Sequence, residues 1–170
     1  MKIITEDVLL SRQGDKEAFG RLYASVAEDL YRFALYTLGN PQDAEDAVSE
    51  TFIEAWKGIK GLRDENSFKP WIMRIVSIRC KRKISGYIKG RNEVDIDDAG
   101  DLSTGDDGHT QRTEVMAALD RLAVQERQIV LLSVVQGYTT KEIASILSCP
   151  QGTVSSKLHR SLKKLKTMLE

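Results

Sequence analysis

Apolar residues in the first third of the chain recur at three- and four-residue steps. Phe19, Leu22, Tyr23, Val26, Leu30, Phe33, Ala34 and Thr37 keep that period, which predicts a long amphipathic helix with one buried face. Gly39-Asn40-Pro41 ends it, after which Ala44, Ala47, Val48, Thr51, Phe52, Ala55, Trp56 and Ile59 repeat the period. Asp43, Glu45, Asp46, Glu50 and Glu54 fill the polar positions, so the second helix packs on the first and turns acid outwards. The pattern lapses from Gly58 to Asn66. Ser67-Phe68-Lys69-Pro70 then restarts a helix, proline being tolerated in a first turn, with Trp71, Ile75 and Ile78 on its apolar side. No segment of this half alternates as a strand does.

Near the other end, Val115, Ala118, Leu119 and Leu122 predict a short helix, and Ile129 to Val135 a strongly apolar one stopped by Gly137. Thr139 and Glu142 stand in capping-box spacing ahead of Ile143, Ala144, Ile146 and Leu147. Ser148-Cys149-Pro150 breaks the chain before a last, basic helix. Two helices across a short break, the second cationic, form a helix-turn-helix pattern. Between the two halves, Glu93 to Gly108 is rich in acid and glycine and lacks any helical period, which predicts a disordered linker. Ten of the eleven aromatic residues precede it, so the flanks are expected to have different cores. The reading is all-α: a helical domain over 1–91, an acidic linker over 92–110 and a helix-turn-helix domain over 111–170.

Composition narrows the class. Of 170 residues, 41% are apolar and 29% charged, which suits one globular domain or two small ones. No uncharged apolar run approaches the roughly 20 residues of a membrane span, and Glu6-Asp7 comes too early for a signal peptide, so a cytosolic protein is expected. Cys80 and Cys149 have no CxxC or Cys/His ligand spacing, which supports neither a disulfide framework nor a zinc site. Net charge is zero but segregated: +3 over 1–91, −7 over 92–110 and +4 over 111–170.

Three features are candidates for function. On the last helix Val154, Leu158, Leu162, Leu165 and Leu169 fall on one side, while Thr153, Ser156, Lys157, Arg160 and Lys164 gather on the other. Packing by one face and offering hydroxyls and cations with the other suits a major-groove reader. A basic helix in isolation is ordinarily a solvated face; its place in a helix-turn-helix favours DNA. Lys69 to Arg91 carries eight cations (Lys69, Arg74, Arg79, Lys81, Arg82, Lys83, Lys89, Arg91) and no acid, interleaved with aromatic residues. That is the chemistry of single-strand binding, although Trp71 by itself would serve a core equally well. The acidic helix from Asp43 to Trp56 suits a basic partner or, equally, solvent. GxxxxGK[ST], HExxH, GxSxG and GxGxxG are all absent, so no enzyme, cofactor or metal is expected.

The order of these parts resembles the bacterial RNA polymerase sigma factors of the extracytoplasmic-function (ECF) branch. The resemblance rests on Asp43 to Trp56, on Phe68-Lys69-Pro70-Trp71-Ile72-Met73-Arg74-Ile75, and on Tyr138 to Lys164 with Lys-Glu-Ile-Ala-Ser-Ile-Leu-Ser-Cys-Pro-Gln-Gly-Thr-Val at its centre. It implies a region 2 domain before the linker, a region 4 domain after it, and a linker threading the polymerase channel otherwise used by template strand and emerging RNA. Asp46, Ser49, Glu50, Phe52 and Trp56 would lie at or behind a contact with the beta-prime clamp helices. Asn66, Ser67, Phe68, Trp71, Arg74, Arg79, Lys81 and Arg82 would take the non-template strand of the minus-10 element, with Asn66 and Ser67 reading an extruded base. Thr153, Ser155, Ser156, Lys157, His159, Arg160 and Lys164 would meet the minus-35 duplex. Members often carry a cation where Ser155 stands and glutamine where Ser49 stands, so these two positions depart from the common pattern.

The implied partners are core RNA polymerase, through its clamp helices and beta flap, and promoter DNA as duplex and single strand. An anti-sigma factor is a further candidate partner, able to hold an otherwise cytoplasmic, nucleoid-associated protein at the membrane. The nearest rival is a free-standing helix-turn-helix regulator of duplex operators, which leaves the basic-aromatic helix unexplained. A small helical enzyme lacks a pocket signature, and an anti-sigma-like adaptor gives no reason for Lys157 and Arg160.

Overall fold

A computed structural model describes residues 2–88 and 113–170, and these are helical throughout with no strand among them. The acidic segment over 92–110, with His109, lies outside the described residues, as do Lys89 and Arg91.

The first set of helices is α1 (Lys2–Arg12), α2 (Lys16–Leu38), α3 (Pro41–Gly58) and α4 (Phe68–Ile88). Asp15 caps α2 by accepting from Ala18 N–H at 3.0 Å, and Gly39, left-handed at φ 72°, closes it through its N–H to Leu35 O. Asn40 then accepts from Gln42 and Asp43 N–H and sets up α3, with Pro41 in the first turn. This two-residue turn folds α3 back along α2, and the two bury Leu22, Leu30, Phe33, Ala44, Ala47 and Phe52 against Phe68 and Ile72 of α4. Helix α1 had no expectation attached to it. Its buried face mixes Val8 with Asp7 and Ser11, so no apolar period marks it, and an Asp7–Arg21 ion pair at 2.9 Å helps to seat it on α2.

The second set is α5 (Glu114–Asp120), α6 (Val124–Val130), α7 (Thr140–Leu147) and α8 (Gln151–Leu169). The capping box is complete, with Thr139 Oγ1 accepting from Glu142 N–H and Glu142 accepting from Thr139 N–H. Ser148, left-handed at φ 54°, and Pro150 make the turn into α8. Two expectations shift here. Helix α6 loosens into a π turn over Leu131–Val135, which rotates its end so that Val134 and Val135 are 62% and 44% exposed rather than core. On α8 only Val154 and Ser161 are fully buried. Leu162 and Leu169 face solvent because the helix turns Ser161 onto α6, where it donates to Glu126 at 2.9 Å.

The flanks do not keep separate interiors. Their buried apolar residues form one cluster, joined along a seam where α6 meets α2 and α4 meets α7. Polar groups hold that seam. Arg127 and Gln128 of α6 donate to the carbonyls of Thr37 and Ser77, and Gln136 donates to Asp29 O. Hydropathy periodicity carries no sign of such contacts, since the residues that make them read as surface.

Candidate nucleic-acid interface

Helices α3 and α4 place the acidic and basic candidates side by side. Arg79 bonds Glu54 at 2.7 Å and lies 3.9 Å from Glu50, and Lys83 reaches Glu50 at 3.5 Å. Glu50 is thus already matched by cations of its own chain, whereas Asp46 and Ser49 are exposed. Asp46, Ser49, Glu50 and Ile53 follow i, i+3, i+4, i+7 spacing and line one stripe of α3. Ile53 is 58% exposed, an apolar residue the sequence reading missed; its signal was its place outside the buried stripe. Phe52 is buried against Tyr23 and Phe19, and Trp56 packs on Phe19 at 4.9 Å, so both stand behind that stripe.

Between α3 and α4 the chain makes two 3-10 turns, Ile59–Gly61 and Glu65–Ser67. Asp64 organises the second: its carboxylate accepts from Asn66 N–H at 3.0 Å, from Asn66 Nδ2 at 3.3 Å and from Ser67 Oγ at 3.1 Å. Those donors, with the Arg12 guanidinium nearby, hold the Asp64 carboxyl below its ordinary range. Asn66 is exposed and Ser67 half-buried, so both candidate base readers are reachable. Phe68 is not. At 1% exposure its ring is a wall of the core, and it supports Trp71 from 6.1 Å instead of offering a stacking face. Trp71 is half-buried over Gly58. Of the cations, Arg82 is exposed, Lys81 half-buried, and Arg74 donates to Ser145 O at 3.2 Å and to Ser148 Oγ across the seam.

On α8, Ser155, Ser156, His159 and Arg160 are exposed, and Thr153 is half-buried. Two of the expected contacts are engaged by residues of α6. Lys157 donates to Gln125, and Lys164 pairs with Glu126 at 3.3 Å. Among the described residues Arg160 donates to its own helix, at 3.4 Å to Ser156 O, and it shares a groove with Arg121, Lys163 and Lys164. Arg121, far away in sequence on the end of α5, was not legible as part of this cationic surface.

Two family models match the chain in different stretches. The model described as Sigma-70 region 2 matches residues 22–87, and that described as Sigma-70, region 4 matches residues 112–165. A Rhodopseudomonas palustris protein named ECF RNA polymerase sigma factor EcfG is 30% identical over 150 residues, covering 85% of this chain and 81% of that protein. The chain belongs to the ECF sigma factors. Other relatives in this family include ECF RNA polymerase sigma factor SigX of Bacillus subtilis, 28% identical over 91% of this chain and 85% of its own length. The ECF RNA polymerase sigma-E factor of Haemophilus influenzae is 27% identical over 98% and 96%.

Two solved structures share the ECF sigma fold. One is CnrH in complex with the cytosolic domain of CnrY, with TM-score 0.74 at 20% identity over 98% of this chain and 97% of that one. The other is the sigma factor RpoE with the anti-sigma factor NepR from Bartonella quintana, with TM-score 0.70 at 23% identity over 89% and 96%. The region 2 match takes in α2 from Leu22, α3 and α4, and the region 4 match takes in α5 to α7 and most of α8. As an ECF sigma factor the protein binds core RNA polymerase and directs it to promoters in transcription initiation. Among the described residues no helix is long and apolar enough to cross a membrane.

Proposed function

We propose that the three surfaces divide the work of initiation. The α3 stripe of Asp46, Ser49, Glu50 and Ile53 docks on the beta-prime clamp helices, an exposed apolar residue within an acidic rim suiting a basic partner. Asn66 and Ser67 read a base extruded from the non-template strand of the minus-10 element, with Trp71 beside them and Arg74, Arg79, Lys81 and Arg82 along the backbone. Ser155, Ser156, His159 and Arg160 meet the minus-35 duplex first, and Thr153, Lys157 and Lys164 form its flank, while region 4 as a whole is held by the beta flap. The protein contributes no chemistry of its own; polymerase is the enzyme. Work on promoter DNA places it in the cytoplasm, at the nucleoid.

The observation that carries this reading is Arg74. Its Nη1 donates to Ser145 O and Ser148 Oγ of region 4, which leaves only the rest of the guanidinium for a strand phosphate. Movement of region 4 off this cation frees its full set of donors for DNA, which ties reading of the two elements to separation of the two units. The packed form is then the form a partner can store. The CnrH and RpoE structures hold a cytosolic domain and an anti-sigma factor respectively, and an anti-sigma partner is proposed here on the same grounds.

Run-off transcription by purified bacterial core polymerase, with and without this protein, on a pool of promoter fragments from its own genome tests the proposal. Discrete transcripts that depend on the protein, and that weaken on Asn66→Ala at minus-10 mutants and on Arg160→Ala at minus-35 mutants, are expected. Sequence-specific duplex binding without transcripts would favour the operator-binding regulator.

A further inference from the structure

The loop that carries Asn66 and Ser67 is tied to the first helix of the chain. Arg12, the last residue of α1, reaches across a gap of fifty residues: Nη2 donates to Leu62 O, and Nη1 lies 3.2 Å from Glu65 Oε1 in an ion pair. Its side chain is 20% exposed and that of Glu65 30%, so the pair is partly withdrawn from solvent, where screening is weaker. Leu62 follows the 3-10 turn Ile59–Gly61, and its carbonyl lies where the chain has left one helix and not begun the next. Such an oxygen has no helical donor, and a planar guanidinium with several N–H groups can serve it and a carboxylate together. Both ends of the loop are thereby pinned: Leu62 at its start, and Glu65 next to the residue that reads.

Asp64 lies between those two anchors. It orders the readers, through Asn66 N–H, Asn66 Nδ2 and Ser67 Oγ. Fixing Leu62 and Glu65 fixes the Asp64 backbone, and with it the direction in which the Asn66 amide and the Ser67 hydroxyl are presented. We propose that Arg12 is a positioning residue for base selection: it acts through Leu62, Asp64 and Glu65 to hold Asn66 and Ser67 ready for one base at the extruded position of the minus-10 strand. The inference rests on the reading of this loop given above. Its physical content is preorganisation. A loop ordered before binding spends less of the contact energy on its own ordering, and it cannot rearrange to suit a wrong base, whereas a loose loop can.

The test uses holoenzyme assembled from core polymerase and the full chain. The probes are fork-junction DNAs whose single-stranded arm carries the minus-10 sequence recovered by run-off, in four versions that differ at the extruded base. The quantity read is the ratio of affinities for the preferred and the other bases. Arg12→Ala is expected to lower that ratio by roughly tenfold, a change equivalent to about 1.4 kcal/mol. Arg12→Lys, which can make one of the two contacts but not both, is expected to restore part of it. A uniform loss on all four probes, with the ratio kept, would overturn the proposal and leave Arg12 as an ordinary packing residue. Should Arg12→Ala not fold, Arg12→Lys and Glu65→Gln decide, and an unchanged ratio in both has the same consequence. Asn66→Ala and Ser67→Ala form the control: if neither moves the ratio, the reading of the loop itself has failed, and the role of Arg12 falls with it.

Discussion

Arg127 of α6 places its guanidinium under the end of α2 and donates to the carbonyl oxygen of Thr37, ninety residues earlier in the chain. The same side chain donates to Leu119 O at 2.8 Å, Asp120 O at 3.1 Å and Leu122 O at 3.0 Å. Three of these carbonyls belong to the end of α5 and the turn after it, and the fourth belongs to region 2. A cation that is 3% exposed is thus shared between the fold of one unit and its seam with the other. A positive group also suits the C-terminal end of α2, where carbonyls point outwards.

Removing that side chain leaves several buried carbonyls without a donor. Arg127→Ala is expected to destabilise the full chain by about 3 kcal/mol, the range found when one partner of a buried charged network is lost. Urea unfolding followed by helical circular dichroism measures it. A loss below about 1 kcal/mol would mean that water or neighbouring groups take over the carbonyls.

The pairing of Glu50 with Lys83 and Arg79 separates two acids that the sequence treats alike. Asp46→Ala is expected to weaken association with core polymerase and leave binding of single-stranded DNA unchanged. Glu50→Ala should do both: lower polymerase affinity and release cations on α4. One released cation steepens the salt dependence of single-strand binding by roughly 0.7 in the log–log slope. Fluorescence anisotropy across a salt series distinguishes the two variants, and identical slopes would count against the neutralising role of Glu50.

Arg160 and Lys164 also part company. Arg160 is free of any carboxylate partner in its described contacts, while Lys164 is held by Glu126. Arg160→Ala is therefore expected to cost about 1–3 kcal/mol of minus-35 binding, and Lys164→Ala less than half of that. Competition with duplexes mutated in the upstream element reads the difference. Polymerase association should not change in either variant; its loss would displace the DNA surface from α8.

Tyr138 supplies a pH signature of the packed form. Burial, with the carboxylates of Glu142 and Asp29 adding to it, pushes its phenol up to about 12 from an ordinary 10.0. Asp29 belongs to α2, so part of that effect crosses the seam. Because the folded value is raised, the protonated phenol contributes stability that is fully present below pH 10 and is lost as pH climbs towards 12. Titration of tyrosinate absorbance should show a late-ionising component that is absent in Tyr138→Phe. Absence of that late component would mean that Tyr138 is not buried in solution.

Much of this was readable from the chain. The helices α2, α3, α7 and α8 declared themselves through apolar period, capping residues and breakers, because Gly39, Asn40, Pro41 and Thr139 act on backbone groups only a few residues away. The family, too, was legible in contiguous motifs. Helix α1 escaped because its buried face holds Asp7 and Ser11, and the apolar run from Ile129 to Val135 gave no sign that its end is a π turn with Val134 and Val135 exposed. Phe68 read as a stacking surface when its side chain closes the core, a distinction that spacing within a basic helix does not draw.

What the amino-acid order by itself determined is therefore local: the helices, their ends, the acidic and basic faces and the helix-turn-helix. The tertiary structure decided which charges remain available. Glu50, Glu54, Lys157, Lys164 and Arg74 read as open functional groups, yet each is engaged by a residue from another helix. It also decided that Arg12 serves the loop and that Arg127 and Gln128 close the seam. Helix period and capping depend on neighbours within a turn or two, whereas the partner of a long charged side chain depends on which helix the fold brings within a few ångströms, and that is a property of packing.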